Sequence, residues 1–221
     1  MTTNTSKGLY DNEINYLGSR MLKGTMTRWM GVFARDELPR EEELLRAQMQ
    51  SGNRPFAFVF NNQPASEPGQ HWLAIYGKAA PLGGGSLAAA TQTSAGGRGG
   101  LHIDVEFFDS YAMPPAAYSL HSHFKRISHF SQHPLQSPSS ALCGHFCLYF
   151  LFARSHGLSF PAIISRLAHY HHNVHPRTPD ENVYSSVCKY ITVRAALLAP
   201  CNSRTRPNHH RQCSQIKCSF C

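Results

Sequence analysis

Gln136–Arg154 reads QSPSSALCGHFCLYFLFAR, and the organisation of the remaining chain follows from it. Ser137, Pro138, Ser139 and Ser140 are turn formers, and a serine just ahead of an apolar run is a good helix N-cap. Leu142 to Ala153 is apolar almost all round, the pattern of a helix buried on every side. Cys143 therefore falls in the first turn of a buried helix, where unpaired N–H groups and the helix dipole favour a thiolate. Gly144 beside it lets another segment approach closely. Two readings of Cys143 stand open at this point, a small apolar core residue or a nucleophile. Cys147, one turn further from the dipole end on the same face, reads as core.

The chain of 221 residues suits one domain with a real core, and a hydrophobic content of 42% excludes wholesale disorder. A net charge of +8 and a pI near 9.3 favour an acidic partner such as DNA. Fourteen histidines add positive charge below neutral pH. No stretch approaches the ~18 apolar residues of a membrane span, and MTTNTSKGLYDNE lacks the apolar centre of a signal peptide. The expectation is a monomer made and kept inside a cell, with no membrane partner. Seven cysteines, four of them after residue 200, do not read as a secreted disulfide framework.

Residues 1 to 25 are polar and weakly patterned. RWMGVFARDEL (Arg28 to Leu38) suits a short strand or extended segment leading into a turn at Pro39. Arg40 to Gln50 has carboxylates in its first turn and good helix formers throughout, so a helix is expected. PFAFVFN (Pro55 to Asn61), HWLAIY (His71 to Tyr76) and HIDVEFFD (His102 to Asp109) suit three strands. The small-residue run between the second and third predicts a flexible surface insertion over 77–100. Residues 117 to 130 are expected to be helical with histidines toward solvent, and two amphipathic helices, near Pro161 to Tyr170 and Glu181 to Leu198, follow the central one. That order predicts an α+β domain, a small mixed sheet packed against the Cys143 helix with flanking helices. The domain spans 1–198, and 199–221 forms a basic Cys/His-rich tail.

A nucleophilic cysteine needs a base, a group to orient that base, and donors for the developing oxyanion. His71 begins an apolar strand after the turn SEPGQ. Asp109 ends the face formed by Ile103, Val105 and Phe107, whereas Glu106 lies on the opposite face. If the two strands are neighbours, Asp109 can reach the His71 ring and hold its tautomer. Gln136 carries an amide donor shortly before Cys143 and, with the Cys143 backbone N–H, could form an oxyanion hole. Singly, each has a plainer reading: a structural histidine, a turn-forming aspartate. Their succession at element boundaries favours the joint reading.

These pieces, WMGVFARDELP, GQHWLAIY, EFFDSYAMPP and LQSPSSALCGHFCLYFLFARSHGLSF, resemble the adenovirus-type cysteine proteases (adenain), including those of Maverick/Polinton-type elements. They run in that family's order over about residues 28 to 195, and Q-x-P-x-S-x-x-C-G is the most specific of them. The resemblance implies His71 as general base, Asp109 as orienting acid, Gln136 as oxyanion donor and Cys143 as nucleophile. Adenain has Glu at the acid position, a chemically mild departure. It further implies an α+β fold, peptide hydrolysis through a thioester at Gly-containing sites, precursor protein substrates of a viral or mobile-element particle, and a nuclear or virion setting if the source is viral. No cofactor is required for that chemistry, while an activating peptide and DNA can stimulate it. The family's disulfide tether for that peptide is not expected, since no cysteine lies between Asp109 and Gln136. Leu82-Gly83-Gly84-Gly85 reads as a plain spacer or, by the same resemblance, as a self-cleavage site.

Two alternatives remain. Proteases that remove ubiquitin-like modifiers carry Asp just before Cys-Gly, where this chain has Leu142. A non-catalytic DNA-binding relative would not need all four residues. In the tail, Cys201, His209, His210, Cys213, Cys218 and Cys221 hold only one C-x-x-C pair, so contact with nucleic acid is expected there rather than zinc.

Overall fold

Strand β2 (Phe56–Asn61) is buried along its whole length, and β3 (Trp72–Pro81) pairs with it antiparallel, with Phe60 opposite Leu73 and Asn61 opposite Trp72. β4 (Leu101–Phe108) continues antiparallel to β3, while β1 (Arg28–Phe33) and β5 (Arg126–Phe130) flank the sheet, parallel to β2 and β4. The order is β1-β2-β3-β4-β5, a mixed sheet. The computed structural model describes residues 8–82, 100–172 and 178–198, with the side chains of 169–172 and 189–198 left aside.

Alternation along the strands sorts the core into two layers. Phe58, Phe60, Leu73, Ile75, Val105 and Phe107 face one side, where Leu44 of α2 (Glu41–Gln50) covers them. Ala57, Val59, Ala74 and Phe108 face the other, against Phe146, Cys147 and Phe150 of α3 (Cys143–Ser155). Phe108 stacks on Phe150 with centroids 4.8 Å apart, one of the contacts that seats α3 on the sheet. Helices α4 (Phe160–His172) and α5 (Pro179–Leu198) complete that layer, matching the two amphipathic helices expected there. The α+β class and the sheet packed on a buried Cys143 helix are therefore as the sequence predicts.

Three expectations need correction, and one helix lies where none was predicted. Residues 11–21 form a helix, α1 (Asp11–Met21), burying Ile14, Leu17, Gly18 and Met21 at helical spacing. Gly18 is needed there, because a Cβ would lie 2.5 Å from the Trp29 ring of β1. Residues 117–130 are not a helix: Ser119 takes a left-handed φ of 56° between two short 3-10 turns, and Arg126–Phe130 pairs with β4 instead. Those unpaired β4 edge groups offered a partner that local sequence cannot reveal. The insertion predicted over 77–100 starts later, since Gly77 to Pro81 pair with Leu101 to Val105. Finally, no serine caps α3: its N-cap is Leu142, and the Ser140 Oγ accepts the Leu142 N–H at 3.2 Å instead. The tail and residues 83–99, with the self-cleavage reading, lie outside the described residues.

Candidate active site

Cys143 is the first residue of α3 and is 9% exposed. Its approach is held by a turn, Ser140 N–H to the Ser137 carbonyl at 3.0 Å, and by the Ser137 N–H donating to Asp180 of α5 at 3.1 Å. As the sequence suggested, Gly144 is a point of close approach. A Cβ there would meet Ile14 Cδ1 at 3.0 Å and Leu9 and Trp72 at 3.3 Å. The first N–H groups of α3 have no intrahelical acceptor and so remain available beside the thiol. Cys147 is fully buried, donates its thiol to the Trp72 carbonyl at 3.3 Å, and has its pKa pushed well up by burial, as suits a core residue.

His71 directly precedes β3. Its backbone is pinned both ways by Asn62, whose N–H donates to the His71 carbonyl at 3.0 Å and whose Oδ1 accepts the His71 N–H at 3.0 Å. Carrying the β3–β4 ladder on from Ala74 opposite Phe108 sets Leu73 opposite Asp109, so His71 is its diagonal neighbour. The two side chains meet, His71 Nε2 to Asp109 Oδ1 at 2.8 Å. Asp109, wholly buried, also accepts the N–H groups of Tyr111 and Met113 and the Tyr118 hydroxyl, at 2.8, 3.2 and 2.8 Å. A carboxylate with so many donors is an acceptor only, which assigns the proton of the shared bond to Nε2.

Nδ1 is then the open nitrogen of His71. It has no partner at hydrogen-bond geometry, yet Cys143 is near enough to act on the ring. Burial depresses the His71 pKa, but hydrogen bonding and charge from Asp109 and Cys143 outweigh it and raise the value to about 9. His71 and Cys143 line the same groove, and no hydrogen bond joins Nδ1 to a partner, an arrangement common before substrate binds.

Gln136 is buried beside this group, but its amide does not open onto it. Nε2 donates to the Tyr111 hydroxyl at 3.1 Å and to the Ser140 carbonyl at 2.7 Å, and Oε1 accepts from Ser110 Oγ at 2.7 Å. Both amide hydrogens are thus committed. Tyr111, to which the sequence assigns no role, links His71, Asp109, Ser140 and Gln136. Its ring lies on His71, its N–H reaches Asp109, and its hydroxyl contacts Ser140 and Gln136. A tyrosine two residues beyond a strand-ending carboxylate was the available signal, and a weak one.

Cys143 and His71 line one open groove of about 1020 Å³. Leu9 to Asn12 at the start of α1 form one wall, and Val32 to Ala34 with the β2–β3 connection form the other. Glu106 faces away, as expected, and pairs with Arg154 through two contacts of 2.6 and 2.9 Å. The positive charge that favoured DNA is largely elsewhere in the chain. Lys7, Arg98, Arg177, Arg204, Arg206, Arg211 and Lys217, but no acidic residue, fall in the segments outside the described residues.

No protein-family profile and no curated protein matches this chain. Among solved structures it is similar to the ASFV pS273R protease, at 14% identity and a TM-score of 0.49, covering 85% of this chain and 69% of that one. A likeness at that level assigns no residue a role, and the geometry above stands by itself.

Proposed function

We propose that this protein is a cysteine endopeptidase, with Cys143 as nucleophile, His71 as general base and acid, and Asp109 as the group that orients and charges His71. The observation that carries the reading is the 2.8 Å His71 Nε2–Asp109 Oδ1 contact in the same groove as Cys143, the first residue of a buried helix. With the Cys143 proton already passed to Nδ1, the sulfur attacks the substrate carbonyl, and the tetrahedral oxyanion is met by the free N–H groups at the start of α3. The imidazolium returns its proton to the leaving amine, leaving a thioester on Cys143. Water, deprotonated by His71, then releases the acid and regenerates the thiol. Gln136 serves as a second oxyanion donor once substrate draws its amide away from Tyr111 or Ser140. By the family resemblance, the targets are precursor proteins of a viral or mobile-element particle cut at Gly-containing sites.

The test is a Leu-x-Gly-Gly peptide library incubated with the full chain and with its Cys143→Ala and His71→Ala variants, beside labelling by a thiol-directed probe. Cleavage by the parent alone, with Cys143 labelled faster than an ordinary thiol, is expected. Absence of cleavage together with ordinary reactivity at Cys143 would refute the reading.

A further inference from the structure

We infer that Tyr118 is a positioning residue acting through Asp109: its hydroxyl engages one carboxylate oxygen and so limits how strongly the other holds the His71 ring. The inference rests on the reading of His71 and Cys143 as base and nucleophile. Four donors divide evenly between the two oxygens of Asp109. Oδ1 takes His71 Nε2 and the Tyr111 N–H, both at 2.8 Å, and Oδ2 takes the Met113 N–H at 3.2 Å and the Tyr118 hydroxyl at 2.8 Å. Two of these are main-chain groups of the segment just after β4, so Tyr118 is the donor that a side chain adds beside His71.

The local fold fixes that donor in place. Pro115–Tyr118 is a 3-10 turn in which the Ala117 N–H donates to the Pro114 carbonyl at 2.9 Å, and Ser119 then takes its left-handed conformation. Pro115 and Leu120, both buried, anchor the chain on either side of Tyr118. Its ring meets Phe107 edge-on with centroids 5.8 Å apart. Tyr118 does not line the groove, which leaves the carboxylate as its route to the chemistry.

Asp109 is wholly buried, so protein donors rather than water share its charge. The Tyr118 hydroxyl takes part of that capacity, and its dipole opposes positive charge on the imidazole beyond. The imidazolium must form beside Cys143 yet still release its proton to a leaving amine. Burial lowers the His71 pKa, and Asp109 and Cys143 more than offset this to bring it to about 9. Without the hydroxyl the hold of Asp109 tightens, and the imidazolium becomes a poorer acid. Tyr118 itself keeps its proton, because burial and the Asp109 charge push its pKa well up. The other titratable groups facing this unit are Cys143 and Cys147 of α3, Tyr111 beside the ring, and Asp180 of α5, which acts on Tyr111. Burial keeps Cys147 and Tyr111 protonated near neutral pH.

The experiment follows alkylation of Cys143 by iodoacetamide against pH in the full-length parent, Tyr118→Phe and Ser131→Ala, read on the Cys143 peptide by mass spectrometry. The parent should show two steps, the upper one marking loss of the imidazolium proton. Tyr118→Phe keeps the ring against Phe107 and should raise that step by about half a pH unit. Ser131→Ala is the structural control. Its Oγ accepts the Asp109 main-chain N–H at 3.1 Å, so its loss lowers Tm but leaves the carboxylate and the step where they are. On a cleaved peptide, Tyr118→Phe should lower kcat near neutral pH about threefold with KM unchanged. An upper step that stays or falls in Tyr118→Phe, or rises equally in Ser131→Ala, overturns the inference and leaves the endopeptidase reading standing. A raised step without any peptide cleavage by the parent supports Tyr118 and sinks hydrolysis. A single ordinary thiol titration in the parent overturns both.

Discussion

The Tyr111 ring lies over the His71 imidazole with centroids 4.8 Å apart and planes 31° from parallel. Through its N–H to Asp109 and its hydroxyl to Ser140 and Gln136, the same residue joins His71, Asp109 and Gln136 into one unit. An aromatic face beside a ring with a raised pKa also favours the imidazolium.

Removing that face should therefore cost more than removing the hydroxyl. Tyr111→Ala is expected to lower kcat on a peptide substrate by on the order of 10²-fold, the scale of a misplaced catalytic group, with a smaller loss in Tyr111→Phe. Steady-state kinetics of the two variants decide it, and a phenylalanine variant as impaired as the alanine one would assign the role to the hydroxyl.

Asp109→Asn should be worse still. The asparagine NH₂ would confront donors at Tyr111, Met113 and Tyr118 and could no longer hold the His71 proton on Nε2. A fall in kcat of roughly 10³-fold or more is expected, with a lower Tm. Equal activity of Asp109→Asn and the parent would remove Asp109 from the mechanism.

Stability should peak near pH 6.5 and fall on both sides, through two different histidines. His71 has its folded pKa raised from 6.5 to about 9, so its contribution is full below 6.5 and is lost as pH rises through 9. His145 packs in α3 against Tyr184, with both ring nitrogens unpartnered, and burial lowers its pKa from 6.5 to about 4. Its neutral form supports the fold above 6.5, and that support is lost as pH falls through 4. Each limb is worth up to ~3 kcal/mol. Tm recorded across this range should show His145→Leu flattening the acid limb and His71→Gln the alkaline one. An unchanged acid limb in His145→Leu would point to another group.

Arg154 and Glu106 form a two-contact ion pair between α3 and the sheet, with the guanidinium 4.6 Å from the Tyr76 ring centre. Arg154→Leu leaves a mostly buried carboxylate uncompensated and should cost about 3 kcal/mol. The double variant with Glu106→Leu should recover most of that, because the desolvation penalty goes with the charge. Denaturant melts of both single variants and the pair measure the coupling.

Much of this protein can be read from its sequence because the deciding interactions are local. Apolar residues on every side of Leu142 to Ala153 identify the buried helix, and runs such as FAFVFN can only be interior strands. His71, Asp109 and Cys143 stand at element ends, where a polar side chain can leave an apolar face, and the structure brings His71 and Cys143 to one groove with Asp109 buried behind His71. α1 was also legible in principle, since Ile14, Leu17, Gly18 and Met21 lie at helical spacing, but its polar remainder hid the pattern.

What tertiary structure alone decided is whatever depends on a distant partner. Arg126–Phe130 is a strand because β4 presents a free edge to it, and no property of those five residues by themselves requires that. Tyr111 acquires its role only when Ser140 and Gln136 are brought beside it from 25 or more positions away. Asp11, Glu37 and Glu67 likewise reach one groove only because three separate segments fold together. Periodicity and capping are set by near neighbours along the chain, whereas hydrogen-bond commitments and local fields are set by neighbours in space. Only the folded arrangement determines those.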